Sequence, residues 1–286
     1  MHYRLPARQS SSLPRPLPRA GRIGGADGAP VMNRHTAFAA LAAALTALVF
    51  LMPPVAQPVT YHDFADRRGC FGMPNCLDTA SNILFLLAGA YGLHGLCRLS
   101  ARAGQRAFID SREVRPYAVF FFGIVLIGFA SAWYHLAPDN QRLAWDRAAM
   151  ALAFMAWFAT QLAERVSVGT GLSLLPVLVV AGLCGVLYWA WSETQGTGDL
   201  RPWLLVQLAP MVLVPLLLWL HPARYSHQRD VFAVLGLYGL ALLFDLGDRA
   251  VFAVTGGVVG GHALKHVVAA LAAFWVARHL RRRKPA

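Results

Sequence analysis

Charge is what this chain has least of. Asp, Glu, Lys and Arg together make up 14% of its 286 residues, against about 25% in an ordinary soluble domain. With 57% hydrophobic residues as well, the chain does not fit the soluble globular class and reads as an integral membrane protein. Acidic side chains are scarcer still, 14 against 26 Lys and Arg, for a net charge of +12. That excess does not make a nucleic-acid binder. The arginines sit in the N-terminal tail, the short loops and the C-terminal tail, where membrane topology puts them. Cysteine is sparse too, and Cys70, Cys76, Cys97 and Cys184 contain no CxxC pair, which removes the common thiol motifs. Cys97 and Cys184 lie in apolar runs and are expected to be buried. Cys70 and Cys76 share a polar segment, where they either oxidise or stay free. No stretch alternates as barrel strands do. The expected fold class is therefore all-α, a polytopic membrane bundle, because a helix satisfies its own backbone in lipid.

Long apolar runs are what the chain has instead. Residues 1–31 are rich in Pro, Arg, Ser and Gly and are expected to be a disordered basic tail; Met32 is an alternative start. The run from Thr36 to Met52 ends at Pro53-Pro54. Over residues 36–56 it is expected to form an extra N-terminal membrane helix that is not cleaved as a signal peptide. A polar stretch from Tyr61 to Asn75 follows. Seven apolar segments come next, near Leu77–Leu96, Tyr117–His135, Trp145–Leu162, Leu172–Trp191, Trp203–Leu220, Val231–Phe244 (with a continuation toward Val254) and His262–Val276. Residues 61–280 thus form a seven-helix core with short, antiparallel connections, and residues 281–286 a basic tail. Arginines at 98, 102, 106, 112, 115, 165, 224 and 229, with those of the tail, fall on one side, expected to be cytoplasmic. Both termini then lie inside.

The opposite side collects the unusual residues. His262 and His266, four apart in Gly-Gly-His-Ala-Leu-Lys-His, share one helical face. Ser131 and His135 do the same where the second core helix ends, and Asp146 follows after a tight reversal. Ionisable groups inside membrane segments are costly and mark function. His135, His262 and His266 are candidate ligands for zinc, whose catalytic sites use three protein ligands and one open position and activate water near neutral pH. Asp146 is a candidate proton carrier, and Ser131 a candidate donor to an oxyanion. Each has a plainer alternative: Ser131 back-bonded to its own helix, Asp146 as a helix-dipole charge. Asp248 and Arg249 are expected to pair with each other. His62, His94, His221, His227 and His279 receive no role.

At these residues the chain resembles the alkaline ceramidase family, within the wider group that includes the progestin and adipoQ receptors. The likeness is carried by Ser131-x3-His135, Asp146 eleven residues on, His262-x3-His266, and Asp78-Thr-Ala-Ser-Asn82, similar to the Asn-Thr-x-Ser-Asn that opens the family's first helix. It covers about residues 61 to 280. The resemblance implies a seven-helix fold and zinc held by His135, His262 and His266, with Ser131 and Asp146 beside the reacting carbonyl. It implies hydrolysis of ceramide or a related lipid amide to sphingoid base and fatty acid, with substrate entering sideways from the bilayer. The bacterial members are the closer likeness, which implies an inner-membrane protein with its site toward the periplasm. One departure concerns calcium. Asn75 stands where eukaryotic members have a glutamate, and Asp63 and Asp66 adjoin Arg67 and Arg68, a poor set for an ion that wants six to eight oxygens. The rival expectation is a lipid receptor, or a metal or proton transporter, using the same histidines.

Overall fold

The computed structural model describes residues 33–101 and 107–286; the tail expected over residues 1–31 and the alternative start at Met32 lie outside them. Residues 34–286 form one compact unit. Ten helices lie among the described residues: α1 Arg34–Leu51, α2 Cys76–Ser81, α3 Ile83–Ala101, α4 Val114–Leu136, α5 Asn140–Arg165, α6 Val168–Thr194, α7 Arg201–Leu220, α8 Arg229–Leu246, α9 Asp248–Val254 and α10 Gly261–Arg282. No strand occurs among them. Six helices (counting α2 with α3) are long and apolar enough to cross a membrane, and the bent pair α8–α9 makes a seventh.

The outer surface agrees with that reading. Leu87, Phe129, Val177, Leu187 and Leu243 are all exposed, a belt that water would not tolerate on this scale. Trp133, Trp145 and Trp191 are exposed near one end of the bundle and Trp219 near the other, as interfacial tryptophans are. Cys97 and Cys184, expected to be buried, lie instead on outer faces; small thiols are at home against lipid.

Helix α5 is the exception that organises the rest. It is the third core helix of the sequence reading, yet it is absent from the set that passes as spans by composition. Its central residues Ala151, Ala153, Ala156 and Ala159 are buried almost completely, and it packs on α4, α6 and α7. A helix enclosed by others needs small residues for close approach rather than a lipid-facing apolar surface. It also begins earlier than Trp145. Pro138 stops α4, and the Asp139 side chain caps α5 by accepting from Arg142 N at 2.7 Å, as N-cap aspartates do. Asp146 therefore sits in the second turn, not at the helix start.

Helix α10 closes the bundle by packing on both α3 and α8. From α3 to α10 consecutive helices are neighbours with one exception: α7 and α8 are splayed apart, joined by a hydrogen bond from Gln207 Nε2 to Tyr238 Oη at 2.9 Å. The run from Val231 to Val254 is not continuous either, since α8 and α9 meet at Gly247 with an 80° bend. Helix α1 lies against α7. Its end is held by Arg201, which donates to the carbonyls of Phe50 (3.0 Å) and Met52 (2.8 Å). A cap over residues 59–75 covers the end of the bundle where α4 stops and α10 starts. A disulfide joins Cys70 of the cap to Cys76, the first residue of α2.

Candidate metal centre and cavity

The three predicted histidines converge. One ring nitrogen from each of His135, His262 and His266 lies within 4.8 Å of the others, and all three residues are buried. His135 comes from the last turn of α4, His262 and His266 from the first two turns of α10. The two helices reach this register because α10 starts in tight contact with the α8–α9 bend. A Cβ on Gly261 would stand 2.8 Å from Asp248 Cα and closer still to the Phe244 carbonyl, so only glycine fits. Gly256 and Gly257 have positive φ, 64° and 77°, which side chains resist; they turn the chain into α10.

The ring orientations follow from their outer partners. His262 Nδ1 lies 2.9 Å from Asp245 Oδ1, so its proton sits on Nδ1 and the Nε2 lone pair faces inward. His266 Nδ1 lies 2.8 Å from Ser81 Oγ. That hydroxyl already donates to the Asp78 carbonyl at 3.0 Å, so it accepts from His266 and turns a second Nε2 lone pair inward. His135 Nε2 is 3.3 Å from His262 Nε2, and its Nδ1 is buried without a hydrogen-bond partner. Histidine ligands are commonly fixed in this way, with the far nitrogen donating to a carboxylate or hydroxyl. Lone pairs aimed at one point from buried neutral rings fit a metal ion. All-imidazole sets suit zinc and also copper, iron or nickel.

Several residues of this shell carried no metal-site role in the sequence. Asp245 also takes Lys265 Nζ at 3.0 Å, so one half-buried carboxylate serves a histidine and a cation. Asp248 does not pair with Arg249. It accepts from His262 N (2.9 Å) and Ala65 N (2.8 Å), tying the cap to α10, while Arg249 reaches Asp63 at 2.5 Å. Phe64, 4% exposed, lies over the centre with its ring centroid 4.8 Å from that of His135 and 4.5 Å from that of His262. His62 bonds Tyr134 Oη at 2.8 Å and Asn140 Oδ1 at 3.0 Å, fixing the cap to α4 and α5. The carboxylates considered for calcium are taken by arginines: Asp63 by Arg67 and Arg249, Asp66 by Arg68. The hydrogen bonds from the Arg68 side chain and backbone hold Asp66 below the ordinary carboxylate value of 3.8.

Ser131 and Asp146 line the same cavity as His262 and His266. Ser131 stands close to the Asp146 carboxylate, whose Oδ1 is buried without a partner. The cavity has a volume of about 420 Å³, within the range of ligand sites. Beyond the polar end its wall is apolar, including Phe120, Ile124, Phe154, Met211 and Leu235, and it borders both splayed helices, α7 and α8.

Comparison with protein families, with curated proteins and with solved structures found no match.

Proposed function

We propose that this protein is a zinc-dependent membrane hydrolase that cleaves the amide of ceramide or a related lipid. In this reading the bundle is a seven-helix core, α2/α3 to α10, with α1 as an extra N-terminal span. The observation that carries the reading is a three-histidine cluster, two members of which, His262 and His266, line a largely apolar cavity together with Ser131 and Asp146. His135, His262 and His266 would hold the ion, which when bound supplies Lewis acidity and water activated near pH 7.

The chain's own residues account for the rest. Ser131 presents a hydroxyl that can donate to a carbonyl oxygen as negative charge builds there. Asp146 Oδ1, buried and unpartnered, is placed to accept a proton from water and pass it to the departing amine. The apolar wall takes an acyl chain, and the gap between α7 and α8 gives that chain a path from the bilayer. A metal with a purely structural role needs no cavity of this size beside it. The same cavity is compatible with a receptor, so turnover is the deciding property.

The reading also takes the arginine-rich ends as cytoplasmic, the site as periplasmic and the membrane as a bacterial inner membrane. To test the proposal, the protein is purified in detergent, its zinc content measured, and ceramide cleavage followed for wild type and His262→Ala. Zinc near one per chain with cleavage lost in the variant is expected. Metal-free wild type, or a variant with full activity, would sink it.

A further inference from the structure

Arg147 is the feature that the proposed chemistry leaves unused. It is 3% exposed, and among the described residues no carboxylate lies within ion-pair distance of it. Arg283, equally buried, pairs with Glu164, and Arg165 donates to the His221 carbonyl. The Arg147 guanidinium sits 4.0 Å from the Trp189 ring centroid and 5.3 Å from those of Tyr61 and Trp203. Its Nη2 donates to Gln57 Oε1 at 2.7 Å. Nε and Nη1 are buried with no hydrogen-bond partner, and so is Gln57 Nε2. Flipping the Gln57 amide would set a donor against Nη2 and remove the bond, so the amide nitrogen is rightly a third unpartnered donor. Three orphan N–H groups, one set bearing full charge, stand where Arg147, Gln57, Tyr61 and Trp203 line the cavity.

The ring faces of the cage steady a cation but accept no in-plane hydrogen bonds, and the Tyr61 hydroxyl close to the guanidinium still leaves Nε and Nη1 without a partner. Unpaired buried donors and an unpaired buried charge are costly, and both costs vanish when an oxyanion binds. We propose that this end of the cavity is an anion-recognition site, and that the protein's lipid carries a carboxylate or phosphate on its head. Different elements surround this anion site and the histidines. A fatty-acid carboxylate would form beside the histidines of α4 and α10, whereas Arg147 is ringed by Trp189 of α6 and Trp203 of α7. The anion and the reacting amide are then two parts of one molecule, joined through the cavity, with the acyl chain along the apolar wall. The substrate class narrows from any lipid amide to one with an acidic head. This rests on the hydrolase reading for the amide, not for the anion.

The test uses a long-chain N-acylglycine and its methyl ester, which share chain and amide and differ in one charge. Equilibrium binding to the full protein in detergent is measured with metal loaded and with metal stripped by a chelator. Stripping removes any contribution of a carboxylate bound to the ion. Wild type is expected to favour the acid by about tenfold or more in both states, the scale of one charge-assisted hydrogen bond. Arg147→Gln should abolish that preference and Arg147→Lys retain part of it. Equal binding of acid and ester by metal-stripped wild type overturns the proposal even if no variant folds. A preference that survives in Arg147→Gln overturns it too, and points to Lys265 instead. Cleavage is scored separately. Acid preferred without turnover leaves the anion site standing and removes the hydrolase; turnover with equal affinities does the reverse.

Discussion

At the scale of single residues, the site divides into groups that face the metal position and groups that aim them. Asp245 belongs to the second kind. Asp245→Asn keeps the shape but replaces a charged acceptor at His262 Nδ1, and metal affinity should fall by about 10–100-fold. Competition against a chelator of known affinity measures this, and unchanged affinity would show that His262 needs no such partner. The histidines were legible in the sequence because polar groups stand out in apolar runs and the i, i+4 spacing fixes their face. Asp245 was visible as a charge near a helix end. Its partner was not, because the contact depends on how α8 and α10 pack. Asp248 shows the same limit: sequence neighbourhood suggested Arg249, while folding gave it two backbone amides on other elements. Arg147 was masked by Asp146 beside it.

At the scale of elements, the register of α10 decides whether two of three histidines arrive together. Gly261→Ala should force α10 off the α8–α9 bend and cost about 1–3 kcal/mol, as overpacking does, while weakening metal binding through displaced His262 and His266. Gly236→Ala is the matched control. A Cβ there meets nothing within 4 Å, and stability should hold or rise slightly, since alanine is the better helix former. Thermal unfolding in detergent compares the pair; equal effects would show that contact at Gly261 is not limiting. The all-helical class and the order of the long apolar helices were readable from hydropathy. The break at Gly247 was not, because glycine within an apolar run is compatible with a continuous helix. Neither was the early start of α5, whose polar first turns follow from a cap rather than from apolar periodicity.

At the scale of the whole molecule, the cap, bundle and N-terminal helix are stitched by a few polar contacts, and these set how conditions act on it. Asp66 is one. Its carboxyl is held below 3.8 by Arg68, and Arg68 also donates to the Val258 carbonyl at 2.7 Å, linking the cap to the turn before α10. A folded value below the unfolded one means that the contribution is present above pH 3.8 and is lost as pH falls through the folded value. With Arg68 exposed, the effect is small. Asp66→Asn should therefore resemble wild type in the most acidic unfolding experiments and fall slightly behind it near neutrality. A constant offset at all pH values would locate the role of Asp66 elsewhere.

Phe64 has a kinetic consequence. Its ring covers His135 and His262, and the segment bearing it is tied down at Asp248 on one side and bridged from Cys70 to Cys76 on the other. An ion can be bound tightly and still exchange at a rate set by how often this strap lifts. Phe64→Ala should speed metal loss to a chelator far more than it changes the final equilibrium, and reducing the disulfide should act in the same direction. An ion taken up by these histidines would then enter fastest before the strap sets. A chain that closes empty would acquire its ion only on the timescale of local unfolding.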